Sequence, residues 1–109
     1  MSSPKSADRD NPVTGIDRII HEPARYLIMA YLSVAESADA IFLQRQTGLT
    51  WGNLSSHLSK LEAAGYVAVK KDFLDKKPHT MLAMTDEGRA AFDNYRNRMK
   101  QALDELPEV

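Results

Sequence analysis

The sequence contains no cysteine, which removes disulfides, thiolate metal sites, iron–sulfur clusters and thiol nucleophiles together. It has no apolar run approaching the roughly 20 residues that a membrane-spanning helix needs. No Gly-rich phosphate loop and no paired-carboxylate constellation is present, and Ser55, Ser56 and His57 are adjacent on one helical pattern, pointing different ways rather than pairing as nucleophile and base. The expectation is a protein that is not an enzyme and carries no cofactor. A dominant charge is missing too: 14 Lys and Arg against 15 Asp and Glu leave a formal −1 at pH 7. Any nucleic-acid binding must therefore rest on a local patch.

What is present is an ordinary globular composition, 43% hydrophobic and 27% charged over 109 residues, enough for one domain with one modest core. Residues 1–14, MSSPKSADRDNPVT, are polar and lack the apolar centre of a signal peptide, so they are expected to form a disordered arm in a cytoplasmic protein. The folded domain is expected over residues 15–106, with 107–109 as a tail.

Within it the periodicity is mostly helical. Ile16, Ile19 and Ile20 suggest a short lead-in helix over Ile16 to His21. Leu27, Ile28, Tyr31 and Leu32 then mark a longer one from about Glu22 to Ala35, with Pro23 in its first turn, where a missing N–H costs nothing. Asp39 can cap a third helix, AIFLQRQT, which ends at Gly48 and turns Ile41, Phe42 and Leu43 inward. Thr50 caps a fourth, whose buried stripe is Leu54, Leu58 and Leu61, and Gly65 ends it. The link TGLT brings these two helices together as a helix-turn-helix does. Alternation then replaces helical spacing: Tyr66, Val67 and Val69 read as a strand, DFLDKKPH as a polar basic turn, and TMLAMT as a returning strand. A last helix runs from Thr85 to about Leu106 and carries Phe92, Tyr95, Met99, Ala102 and Leu106 at spacings of three and four. So long a seam is expected to be a dimer interface with a second copy rather than to pack back on the first helix.

The fold class expected is mainly α with a small β-hairpin (α+β), a winged helix-turn-helix whose N- and C-terminal helices form the dimer interface. The fourth helix carries small polar residues opposite its leucines where Glu and Lys would be usual. Short hydrogen-bonding side chains allow close approach to base edges in a major groove. Asn53, Ser56, His57 and Gly52 are the candidates for base contact, with Asn53 suited to bidentate pairing with adenine and Gly52 leaving backbone N–H groups bare toward a phosphate. Thr50, Ser55 and Lys60, with Lys70, Lys76, Lys77 and His79 of the hairpin, are phosphate candidates. Lys71 belongs to the same basic cluster, opposed by Asp72 and Asp75, and Arg18 and Arg25 are weaker candidates. Trp51 either packs on the preceding helix or stacks on a sugar or base.

The stretches IIHEPARYLIMAYL, TGLTWGNLSSHLSKLEAAGYV and DKKPHTMLAMTDEGRAAF resemble the small single-domain winged helix-turn-helix transcriptional regulators of bacteria and archaea related to the MarR and ArsR groups. The resemblance implies a homodimer that binds double-stranded DNA. It departs from that group at the wing, where Asp75, Lys76 and Lys77 stand in place of Gly and Arg; lysine reads a minor groove less well than arginine. MarR-type relatives bind aromatic effectors, and Tyr26, Met29, Tyr31, Phe92, Tyr95 and Met99 either line such a small-molecule cleft or form core. His21, His57 and His79 lie on separate elements, so no metal site is expected. A second reading is a protein-interaction adaptor on the same fold. It draws on the acidic end DELPEV and requires Trp51 to be an exposed anchor.

Overall fold

The computed structural model describes residues 15–105. The arm, the tail and Leu106 lie outside them. The elements run α1 (Pro23–Ser33), β1 (Ala38–Asp39), α2 (Ala40–Thr47), α3 (Trp51–Ala63), β2 (Val67–Leu74), β3 (Lys77–Met84) and α4 (Asp86–Asp104). The sheet is antiparallel in the order β1-β3-β2, so a short strand before α2 joins the expected hairpin as a third member.

The lead-in helix over Ile16 to His21 is a turn instead. The Asp17 carboxylate accepts from the N–H groups of Ile19 and Ile20 at 2.8 and 3.2 Å, and its other oxygen accepts the Tyr66 hydroxyl. An Asp side chain that satisfies nearby backbone donors favours a turn over further helix. Ile20 is nonetheless fully buried, so the isoleucine pattern marked core contact correctly while misreading its geometry. Burial, and then the bond to Asp17, push the Tyr66 phenol up to about 12.

Each helix start follows from a capping side chain. Glu22, rather than a helical residue, caps α1 through the N–H groups of Ala24 and Arg25 at 3.0 and 2.9 Å. Asp39 caps α2, Thr50 caps α3 and Thr85 caps α4 through Gly88 at 2.9 Å. Gly48, at φ 69°, ends α2 in the left-handed conformation that glycine adopts without strain.

The core gathers Ile20, Ile28, Met29, Leu32, Leu43, Leu54, Leu61, Val67, Leu82 and Phe92. Two inward assignments fail: Ile41 and Phe42 are 50% and 43% exposed. An eight-residue helix can bury only a narrow stripe, and Leu43 fills it; Phe42 packs its edge on Tyr31 at 6.1 Å instead. The seam expected for a dimer is also shorter than the sequence spacing implied. Phe92 and Tyr95 are buried in this chain's own core, their rings 5.5 and 5.7 Å from Tyr26, because the first half of α4 packs back on α1.

The hairpin is longer than its polar sequence indicated. Both turn residues, Asp75 at φ 51° and Lys76 at φ 65°, are left-handed, the conformation of a two-residue turn that lets strands pair to its edge. Leu74 thus faces Lys77, and pairing runs back to Val67 and Met84.

Two substitutions separate strain from packing. A Cβ at Gly88 would lie 2.1 Å from the Tyr66 carbonyl oxygen, so Gly88→Ala is expected to lower unfolding stability by about 1–3 kcal/mol. Lys76→Gly is expected to raise it by about 1 kcal/mol by relieving the left-handed turn. Paired thermal and denaturant melts read both changes.

Candidate nucleic-acid interface

Helix α3 is seated by Leu54 and Leu61, 1% and 0% exposed, with Leu58 half-buried against the same core. Their spacing turns Trp51, Gly52, Asn53, Ser55, Ser56, Ser59 and Lys60 outward, and all seven are exposed. The Thr50 hydroxyl accepts from the Asn53 N–H at 3.1 Å, so Thr50 closes the first turn and leaves the Asn53 amide side chain free of that task. Nothing lies within 4 Å of the place where a Gly52 side chain would start, so the interior does not require glycine there. Trp51 is 53% exposed, which decides against the core placement.

The wing folds beside this face. Between them lies an open cleft of about 530 Å³ lined by Trp51, Leu54, Ser55, Leu58 and Ser59 of α3 and by Val69, Lys71 and Thr80 of the sheet. Strand alternation explains which lysine enters it. Val67, Val69 and Lys71 share the sheet face toward α3, whereas Lys70 points to the other side. Lys70 was expected among the phosphate contacts, whereas Lys71, expected only as part of the basic cluster, lines the cleft with Ser59 and Thr80. Lys71 shares the parity of Val69, two residues earlier on the same strand, and that parity carried the signal. Lys76 and Lys77 are exposed at the tip. His79 is held by the opposite strand, its Nδ1 3.1 Å from Asp72 Oδ1, so it is not a free phosphate ligand as expected.

His57 also departs from the expected open face. Its Nδ1 lies 3.1 Å from Arg25 Nη1 and 3.5 Å from Glu22 Oε2. Arg25 is nearly buried and donates from Nε to the Ile19 carbonyl at 2.5 Å. Arg25, a weak phosphate candidate, thus ties the N-terminal turn, the start of α1 and the middle of α3 together. Burial acts to raise the Glu22 carboxyl. The backbone N–H groups of Ala24 and Arg25, with the charges of His57 and Arg25, outweigh it and hold the group below its ordinary 4.5. Arg18 is exposed.

The six aromatic and methionine residues proposed for an effector cleft do not meet in one. Met29 and Phe92 are core, and Tyr31 packs on α2. Only Tyr26, Tyr95 and Met99 share a groove of about 780 Å³, with Arg96, Lys100 and Leu103 along α4. Among the described residues no cluster of three His, Asp or Glu side chains is arranged to hold a metal ion, and no helix is long and apolar enough to cross a membrane.

A three-stranded sheet flanking a capped helix-turn-helix, with an outward polar helix face beside a basic hairpin, is the α+β architecture of winged-helix transcriptional regulators. The chain matches the winged helix DNA-binding domain family over residues 24–103 and belongs to it. It is 37% identical over 78 residues to an uncharacterised protein of Methanocaldococcus jannaschii, covering 72% of this chain and 85% of that one. Its fold is similar to a transcriptional regulator homologue from Pyrococcus horikoshii, with TM-score 0.79, 28% identity and coverage of 92% and 99% of the two chains. It is also similar to the PcaV transcriptional regulator of Streptomyces coelicolor, with TM-score 0.70, 20% identity and coverage of 94% and 77%; PcaV has also been solved in complex with its natural ligand. Regulators of the MarR and ArsR families share the fold at similarly low identity.

Glu22 supplies a pH test of the α1–α3 tie. Because its folded value is depressed, its contribution is complete above about 4.5, the ordinary value, and is lost as pH falls through the lower folded value. Glu22→Gln is expected to cost about 1 kcal/mol near neutrality, the usual worth of a helix cap. It should also flatten the acid limb of the stability–pH profile measured by urea melts.

Proposed function

We propose that this chain is a homodimeric, sequence-specific DNA-binding transcriptional regulator, with α3 in the major groove and the wing on the flanking backbone or minor groove. The observation that carries the reading is the outward face of α3, where Gly52, Asn53 and Ser56 stand exposed above a buried leucine stripe. Asn53 and Ser56 are assigned to base edges and Gly52 to close backbone approach. Thr50, Ser55, Lys60, Lys71, Lys76 and Lys77 are assigned to phosphates. Two such helices in a two-fold dimer would enter successive major grooves about 34–36 Å apart.

The dimer contact is assigned to the second half of α4, where Leu103 is 64% exposed beside half-buried Met99 and Ala102. Leu103→Glu is expected to shift the chain from dimer to monomer in sedimentation while leaving its fold intact. A small-molecule effector is part of the proposal. NadR is known in complex with 4-hydroxyphenylacetate, and the Tyr26–Tyr95–Met99 groove, with Arg96 and Lys100 on its rim, is the opening beside α4 that such a molecule would enter. A cytoplasmic location and the absence of catalysis follow from the same reading.

Exposed Trp51 also favours a second reading, a winged-helix protein-interaction adaptor anchored on that ring. Fluorescence anisotropy over a salt series, on a duplex from the gene's own upstream region and on a scrambled duplex, separates the two. The regulator reading predicts selective binding that Asn53→Ala weakens by about 1–3 kcal/mol on the upstream duplex and much less on the scrambled one. Lys76→Ala with Lys77→Ala should weaken both and lower the salt slope by about 2. Gly52→Ala should weaken DNA binding while raising thermal stability, since glycine inside a helix costs about 0.5–1 kcal/mol relative to alanine. No binding to either duplex at low salt would contradict the regulator and favour the adaptor.

A further inference from the structure

The least explained surface of the molecule is the outer third of the wing. Phe73 is 75% exposed and Leu74 58% exposed, and neither belongs to the core cluster nor packs against it. Phe73 pairs across the hairpin with Pro78, two pairs outward from Lys71 and Thr80, with Asp72 and His79 between them. Strand alternation therefore places Phe73 on the face of the sheet that looks toward α3, continuing the line of Val69 and Lys71 past the mouth of the cleft. Its surroundings are basic: Lys71 on the same strand face, and Lys76 and Lys77 just beyond at the turn. Asp72, one of the two opposing carboxylates, is engaged by His79 at 3.1 Å; the other, Asp75, sits at the turn itself.

An exposed aromatic ring on a projecting hairpin, ringed by lysines and aligned with a recognition helix, needs a partner with an anionic outside and a stacked, apolar inside. Duplex DNA has both. We infer that Phe73 is a wedge: with α3 in the major groove, the wing enters the adjacent minor groove, where the Phe73 ring inserts partly between base pairs and kinks the duplex, while Lys71, Lys76 and Lys77 hold the phosphates on either side. This rests on the DNA-binding reading above and extends it to a specificity device. The wing reads how easily a base step unstacks, the sequence-dependent property cheapest at pyrimidine–purine steps. It also accounts for a wing that has lysines in place of an arginine: here the lysines grip the backbone and the ring does the reading.

The test is energy transfer between fluorophores on the two ends of a duplex selected for binding, with affinity measured in parallel for wild type, Phe73→Ala, Phe73→Leu and Lys77→Ala. The wedge predicts that wild type shortens the end-to-end distance and that Phe73→Ala straightens the DNA with about a tenfold loss of affinity, the size expected for one lost aromatic–base stack. Phe73→Leu should retain most of the bend, and Lys77→Ala should lose affinity without losing the bend. Because Phe73 makes no core contact, all four proteins should melt alike. A wild-type complex with straight DNA, or a Phe73→Ala complex with unchanged bend and affinity, would overturn the wedge while leaving the regulator reading intact. So would a Phe73→Ala variant whose only change is loss of self-association, which would assign the ring to a second copy of the chain. Failure of wild type to bind any duplex would instead remove the parent reading along with it.

Discussion

The burial of Leu54 and Leu61 is the constraint on which the rest of the molecule depends. Two leucines seven residues apart on α3 point in nearly the same direction, and placing both in the core determines the direction of every other α3 side chain. Their fully buried neighbours come from α1, α2 and the sheet, so the core exists largely to seat this helix. The seat is completed by a polar tie: Arg25 reaches from α1 to the Ile19 carbonyl on one side and to His57 on the other, with Glu22 beside it. Hydrophobic burial sets which face of α3 is out, and the Arg25 cluster restrains the helix about its own axis.

The electrostatics make sense on the same terms. A chain with a formal charge of −1 gathers its useful positive charge locally, along the wing, where Lys70, Lys71, Lys76 and Lys77 lie within eight residues. The carboxylate of Asp72 is engaged by the His79 ring at 3.1 Å, while Lys71, Lys76 and Lys77 stand exposed on the approach to the cleft. Local concentration of charge against a polar helix face is what a groove-binding protein requires, whatever its overall balance.

Much of this was legible in the sequence, and the misses have particular causes. Caps at Asp39 and Thr50, the helix start at Thr85, the glycine stops and the leucine stripe are local signals, and local interactions decide them in the structure too. Ile16 to His21 misled because apolar spacing does not reveal that Asp17 captures the backbone. Phe92 and Tyr95 misled because a helix of regular apolar spacing looks the same whether its partner is α1 or another chain; only tertiary packing tells them apart. His57 looked outward by its position and is drawn inward by Arg25, a residue 32 positions earlier. Lys71 could have been preferred to Lys70 by parity alone. The exposure of Trp51 and Phe73 required the folded structure, since aromatic residues in such patterns are usually core.

The central claim is that the open face of α3 and the α3-facing side of the wing meet duplex DNA together. Amide chemical-shift mapping of the nitrogen-labelled chain during titration with a duplex tests it most directly. The account predicts concentrated shifts over Thr50–Lys60 and Lys70–Thr80, with the distal half of α4 largely unmoved beyond effects of self-association. Shifts confined to α4 and α1, with α3 and the wing silent, would contradict it.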